Sequence, residues 1–232
     1  MEQAEMAKCL GLIHTVPPLI QVFDQLAAET LPGVRLLHIL DEPLLEAIAR
    51  RGALAPADTV RLRSHVEQME VAGADAVLVT CSTISPSADL VREQVRIPVL
   101  RIDEAMIAEA VARGPRIGVL ATNETTLEPT RQALQAEADR LGRGIEVKLV
   151  PVEGALPALL SGDAARHDRL VAAAVQVAAT QCDVLVLAQA SMARVLAAIP
   201  ENACPVPILS SPHLALAQVR RTLGLQHETG TG

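Results

Sequence analysis

Short apolar runs alternate with longer stretches of helical period along this chain. Residues 10–14, 34–40, 76–80 and 98–102 are short runs dominated by Leu, Val, Ile and Ala and bounded by turn residues, the pattern of buried parallel strands. Residues 117–122, 146–150, 184–188 and 207–210 repeat it in the second half. Between them, 18–29, 43–51, 58–72, 104–113, 127–141, 155–160, 164–181 and 214–223 carry helical spacing. Regular alternation of strand and helix predicts parallel sheets with helices on both faces.

The two halves resemble each other. Gly-Leu-Ile-His at 11–14 matches Gly-Val-Leu-Ala at 118–121, and Ile-Pro-Val-Leu at 97–100 matches Val-Pro-Ile-Leu at 206–209. The run 76–83 ends in Thr-Cys-Ser-Thr, and its counterpart 184–191 ends in Ala-Gln-Ala-Ser, so Cys81 corresponds to Gln189. All three pairs lie at nearly the same interval, which points to a duplicated unit. The expected fold is therefore α/β, with two pseudosymmetric lobes, each a four-stranded parallel sheet flanked by helices. Residues 1–102 form the first lobe and 103–211 the second; a helix at 212–224 packs back on the first, and 226–232 is a disordered tail. Ligands of such sheets bind beyond the carboxyl ends of the strands. That predicts one site in the interlobe cleft, with Cys81 and Gln189 on opposite walls.

Composition narrows the function. Half of the 232 residues are hydrophobic, enough for a sizeable core. Phe23 is the only aromatic, so base-stacking on aromatic platforms is excluded. The net charge is −7, from 20 basic and 27 acidic side chains without a basic run. Nucleic acid and anionic membranes are therefore not expected partners. No apolar run reaches the ~18 residues of a membrane span. The start, Met-Glu-Gln-Ala-Glu, lacks a basic leader. The cysteines, Cys9, Cys81, Cys182 and Cys204, show no metal spacing. A cytoplasmic protein with reduced thiols follows, without metal or cofactor; a homo-oligomer is compatible with the apolar composition. Dinucleotide, Walker and nucleophile-elbow motifs are absent.

Candidate chemistry gathers at strand ends. Cys81 ends a strand, and Ser85-Pro86 after it reads as a helix cap followed by the first helical position. A thiol ahead of a helix N-terminus is favoured as thiolate, the nucleophilic and basic form. Ser82 and Thr83 add hydroxyls that can cradle a carboxylate or enolate oxygen. Gln189 cannot abstract a proton but can donate and accept hydrogen bonds, and Ala190 and Ser191 bring backbone N–H groups. Thr122, Asn123 and Thr125 follow the fifth strand, and His14 and Thr15 follow the first, as substrate-positioning groups; a neutral His14 can serve as acid or base. Asp41 reads equally well as a helix cap, and His213 is a minor candidate. Cys9, Cys182 and Cys204 read as structural thiols, and His38, His65 and His167 as ordinary core or surface histidines.

At these residues the chain resembles the aspartate/glutamate/hydantoin racemase superfamily, which also contains maleate isomerases and arylmalonate decarboxylases. The resemblance rests on Gly73-Ala74-Asp75-Ala76 leading into Thr80-Cys81-Ser82-Thr83, on Ile97-Pro98-Val99, on 117–122 with Thr125, and on Asp183 leading into 188–192. It implies a cofactor-independent enzyme in which two cysteines flank the substrate carbon. It implies that Cys81 is the first cysteine and that Ser82, Thr83, Thr122, Ala190 and Ser191 bind carboxylate groups. The second cysteine falls at position 189, where this chain has glutamine.

A two-base racemase needs a competent base on each face of the carbon. With Cys81 alone, three reactions are open: thiolate addition to a double bond with cis–trans isomerisation, proton transfer on one face as in a decarboxylase or tautomerase, or racemisation with His14 or His213 as substitute base. The expected function is a cofactor-independent isomerase/racemase-type enzyme acting on a small carboxylic acid or amino-acid derivative with a single cysteine thiolate. The alternatives are a one-base decarboxylase and a non-catalytic small-acid binding protein.

Overall fold

A computed structural model describes residues 7–199 and 204–225. The expected tail at 226–232 lies outside the described residues. Of the described residues, those up to Thr80, Ile84–Arg101 and those from His213 onward form one compact unit, and Cys81–Thr83 with Ile102–Pro212 form the other.

The first unit is built on β1 (Cys9–His14), β2 (Arg35–Leu40), β3 (Ala76–Val79) and β4 (Val99–Arg101), all parallel, in the order β2-β1-β3-β4. Its helices are α1 (Pro18–Thr30), α2 (Glu42–Arg51), α3 (Pro56–Val71) and α4 (Ser85–Arg92). The central strands β1 and β3 are buried along their whole length, which is why they read as unbroken apolar runs.

The second unit repeats that plan. Helix α5 (Glu104–Arg113) precedes β5 (Arg116–Ala121), α6 (Glu124–Arg140), β6 (Glu146–Pro151), α7 (Ala155–Leu160), α8 (Ala164–Ala179), β7 (Val184–Leu187) and β8 (Ile208–Ser210). The strands are again parallel, in the order β6-β5-β7-β8. Helix α9 (Ser211–Thr222) closes the described chain, and its Arg220 donates to the Thr30 carbonyl at the end of α1, 3.1 Å away. Two four-stranded all-parallel sheets with one strand order make the fold α/β and internally duplicated.

The duplication extends to packing. Gly11 of β1 and Gly118 of β5 are counterparts, and each lies beneath a side chain. A Cβ on Gly11 would meet Met69 and Val77 at 3.0–3.1 Å, and one on Gly118 would meet Leu185 at 2.6 Å and the Cys182 sulfur at 2.9 Å. A side chain at 118 forces its neighbours to shift, and one at 11 needs Met69 and Val77 to give by a few tenths of an ångström, because both cores pack close onto the backbone.

Some expected boundaries move. Cys9 is the first residue of β1, not a residue before it, and is 2 % exposed. Ser85 is the first residue of α4, and Ile84 occupies the cap without a side-chain hydrogen bond. A 3-10 turn, Ser82–Ile84, is inserted between Cys81 and α4. Helix α6 starts at Glu124 rather than 127, because Asn123 caps it.

Candidate active site

Cys81 lies two residues beyond β3 and opens directly into the Ser82–Ile84 turn. The sulfur-bearing residue is 9 % exposed, with Ser82 and Thr83 similarly buried. The Ser82 hydroxyl donates to the Ala188 carbonyl at 3.1 Å. Ala188 follows β7, so the residue after Cys81 is tied to the residue before Gln189. These two strand ends, counterparts in the duplication, meet within the second unit.

Gln189 is held from the neighbouring strand end. Its side-chain Oε1 accepts the Thr122 backbone N–H at 2.6 Å and the Thr122 hydroxyl at 2.8 Å. Asn123 turns its Oδ1 to the Thr125 N–H at 3.1 Å and so caps α6. Among the expected binding groups, then, the Ser82 proton, both Thr122 donors and the Asn123 oxygen are engaged inside the protein. Ala190 is buried, and Ser191 is half-buried in the 3-10 segment Ala190–Ala198. Two hydroxyls nearby in the topology remain buried without a partner among the described residues: Thr125 Oγ1 after β5 and Ser211 Oγ after β8. A buried hydroxyl without a hydrogen bond is costly, and each calls for an explanation, a bound ligand being one. Ser211 was missed in the sequence because it reads as an ordinary residue of a Ser-Ser-Pro turn.

In the first unit, His14 is fully buried at the end of β1. Its Nδ1 lies 2.9 Å from Thr80 Oγ1, and its Nε2 lies 3.0 Å from Nδ1 of His38. His38 Nε2 reaches the half-exposed Asp24 carboxylate at 3.1 Å. Thr80 Oγ1 also lies 3.0 Å from the Ile13 carbonyl. Proton counting leaves two consistent arrangements. If Thr80 donates to His14, then His14 donates to His38 and His38 to Asp24, with both rings neutral. If Thr80 donates to Ile13 instead, His14 must donate to Thr80, and the two rings together hold three protons rather than two. Burial, and then the adjacent His38, lower the His14 pKa to about 4, so His14 is the neutral ring in both. By its sequence position alone His38 is an ordinary histidine. It shares the face of His14 because Leu12 pairs with His38 in the parallel register, which the sequence does not display.

The other candidates resolve as follows. Thr15 is buried with its hydroxyl unpartnered among the described residues. Asp41 is a structural hub: burial pushes its carboxyl up, but hydrogen bonds from His65, Arg61 and the Leu44 N–H together bring it below the ordinary value. It caps α2, as one of its two readings had it. His213 is exposed on α9 in the first unit. Burial raises the thiols of Cys9 and Cys182, which suits inert core groups. None of the four cysteines forms a disulfide.

The profile of the Asp/Glu/hydantoin racemase family matches residues 17–219. The chain belongs to this family. Racemase- and isomerase-type enzymes are therefore its kin, and the chain is read as one of them. Aspartate racemase of Picrophilus torridus superposes with a TM-score of 0.70 at 14 % identity, over 94 % of each chain. Glutamate racemase RacE1 of Bacillus anthracis gives 0.68 at 17 % identity, over 94 % of this chain and 82 % of that one. A variant of arylmalonate decarboxylase in a sulfate-associated form gives 0.59 at 17 % identity, over 97 % of each. No curated protein sequence matches. At such identities the superpositions establish the duplicated α/β fold. Within this racemase-family chain, the position opposite Cys81 in the duplication carries an amide with its oxygen already bonded. Among the described residues, no helix is long and apolar enough to cross a membrane.

Proposed function

We propose that this chain is a cofactor-independent isomerase/racemase-type enzyme that acts on a small carboxylic acid or amino-acid derivative through one cysteine thiolate, Cys81. The observation that carries the reading is the pairing of strand ends: Cys81 opens a turn bonded to the end of β7, and the residue there is Gln189. A carboxamide takes no proton near neutral pH, so this pair supplies one base and not two.

One base favours covalent isomerisation. The thiolate adds to one carbon of a double bond conjugated to a carboxylate or carbonyl; the π electrons move onto the oxygen as an enolate. Rotation about the new single bond follows. Collapse of the enolate expels the thiolate and restores the double bond in the other geometry, with no net gain of atoms or electrons. Thr83 and the N–H groups of the turn Ser82–Ile84 steady the developing negative charge. His14 is engaged with Thr80 and His38, which speaks against its being the missing base.

The same amide at 189 supports a second reading, one-face protonation. There a malonate-type substrate loses carbon dioxide, the electron pair stays on carbon as an enediolate, and the Cys81 S–H gives that carbon its proton. The four unbridged cysteines suit a reducing compartment, and we place the enzyme in the cytoplasm.

The test is proton NMR in D₂O with maleate, citraconate, phenylmalonate, and D- and L-aspartate. Wild type converts at least one of the first three, and Cys81→Ala loses at least about a hundredfold in rate. Conversion that survives in Cys81→Ala, or racemisation of aspartate at full rate, defeats the single-thiol reading. Binding of these acids without conversion would make the chain a small-acid binding protein.

A further inference from the structure

Gln189 has a fixed polarity. A backbone N–H only donates, so the atom 2.6 Å from the Thr122 nitrogen is the carboxamide oxygen, and the amide is not turned the other way. The Thr122 hydroxyl reaches the same oxygen at 2.8 Å. Two donors fill both lone pairs of Oε1 and exhaust its capacity to accept. The Nε2 group keeps two protons and has no partner among the described residues, and Gln189 is not sealed from solvent. Its backbone is extended, φ −132° and ψ 137°, which carries the side chain off the end of β7 before the 3-10 segment begins. The backbone of one strand end thus latches the side chain of the next.

We propose that Gln189 is a specificity-determining residue: a latched donor that admits a substrate only where it presents a hydrogen-bond acceptor oxygen to Nε2. This rests on the reading that a small acid is bound beside Cys81. The acceptor is a carboxylate, a carbonyl or an enolate oxygen. An ammonium group brought to the same place meets another donor and is turned away, as is an alkyl group, which leaves the amide protons desolvated. The residue also carries no charge, so it neither repels a carboxylate nor competes with it for protons. Thr122 acts through Gln189 and is a positioning residue in this respect.

Isothermal titration of the full chain with malonate, maleate and succinate tests this. Gln189→Glu retains an oxygen for Thr122 and replaces the amino group by an anionic acceptor; it weakens the best of the three acids by about thirtyfold or more. Gln189→Leu keeps the volume and loses the donor, at about tenfold. Thr122→Val retains the backbone donor, removes the hydroxyl and loosens the latch, at about threefold. Thermal melts check folding, and if one variant does not fold, the other two carry the comparison. Gln189→Leu and Gln189→Glu binding within about twofold of wild type would overturn the donor role while leaving the proposed function intact. Failure of wild type to bind any of the three acids would overturn the donor role and count against the proposed function as well; the D₂O assay on Cys81 distinguishes the two failures.

Discussion

The hydroxyl of Ser82 donates to the carbonyl of Ala188 across 3.1 Å. One bond thus joins the turn that carries Cys81 to the strand end that carries Gln189. In this structure the bond spends the Ser82 hydroxyl proton within the protein. Ser82→Ala removes the bond and frees the Ala188 carbonyl without altering the Cys81 backbone turn. We expect about 1 kcal/mol lower stability in urea titration. Turnover falls about tenfold or more as the thiol loses its registration with the opposite strand end. Unchanged turnover would remove Ser82 from the positioning of the site.

His14 makes stability depend on pH. Its pKa is about 4 in the folded chain against an ordinary 6.5. Below pH 6.5 the unfolded chain takes up a proton at this ring and the folded chain does not. Stability is therefore full above about pH 6.5, declines as pH falls towards 4 and levels off below that, a loss of about 3 kcal/mol from this group. His14→Gln removes that slope. Urea titrations of both proteins between pH 4 and 7 measure it, and parallel curves would refute the assignment.

The Asp41 hub is structural. Asp41 caps α2 and accepts both Arg61 nitrogens at 2.6 Å and His65 at 2.7 Å. Asp41→Ala leaves the Leu44 N–H uncapped and takes the carboxylate from Arg61 and His65, and costs about 2–3 kcal/mol. Substrate affinity, read by the same titration calorimetry, stays within about twofold of wild type. A selective loss of binding at unchanged stability would assign Asp41 to the site instead.

Gly118 tests the duplicated packing. Gly118→Ala puts a methyl group 2.6 Å from Leu185 and 2.9 Å from the Cys182 sulfur, so the core must shift. The expected cost is about 1–3 kcal/mol. A neutral result in thermal and urea unfolding would show that the β5 core is looser than its geometry implies.

Legibility in the sequence followed the physics of each feature. The central strands β1, β3 and β7 are the plainest in the sequence because they are buried along their whole length and so are largely apolar, whereas the edge strands β2 and β6 carry exposed polar residues. The order of anchors, Gly11 with Gly118 and Cys81 with Gln189, exposed the duplication. Boundaries governed by side-chain capping were less visible: Asn123 starts α6 three residues early, and the 3-10 turn after Cys81 carries no composition signal. The state of the site was the least legible. Nothing in a string of residues says that Thr122 spends both donors on Gln189, or that His14 and His38 share a face. Those depend on strand register and on which hydrogen bonds win once the chain has folded.

The central claim is that Cys81 is the one chemically competent thiol and works beside a bound small acid. Iodoacetamide labelling read by peptide mass spectrometry tests it directly, with malonate, maleate and succinate as protectants and Cys204→Ser present to remove the more accessible thiol. The account predicts that Cys81 labels well ahead of the buried Cys9 and Cys182 near neutral pH, and that at least one of the acids slows it. Slow and equal labelling of all three, indifferent to every acid, would contradict it.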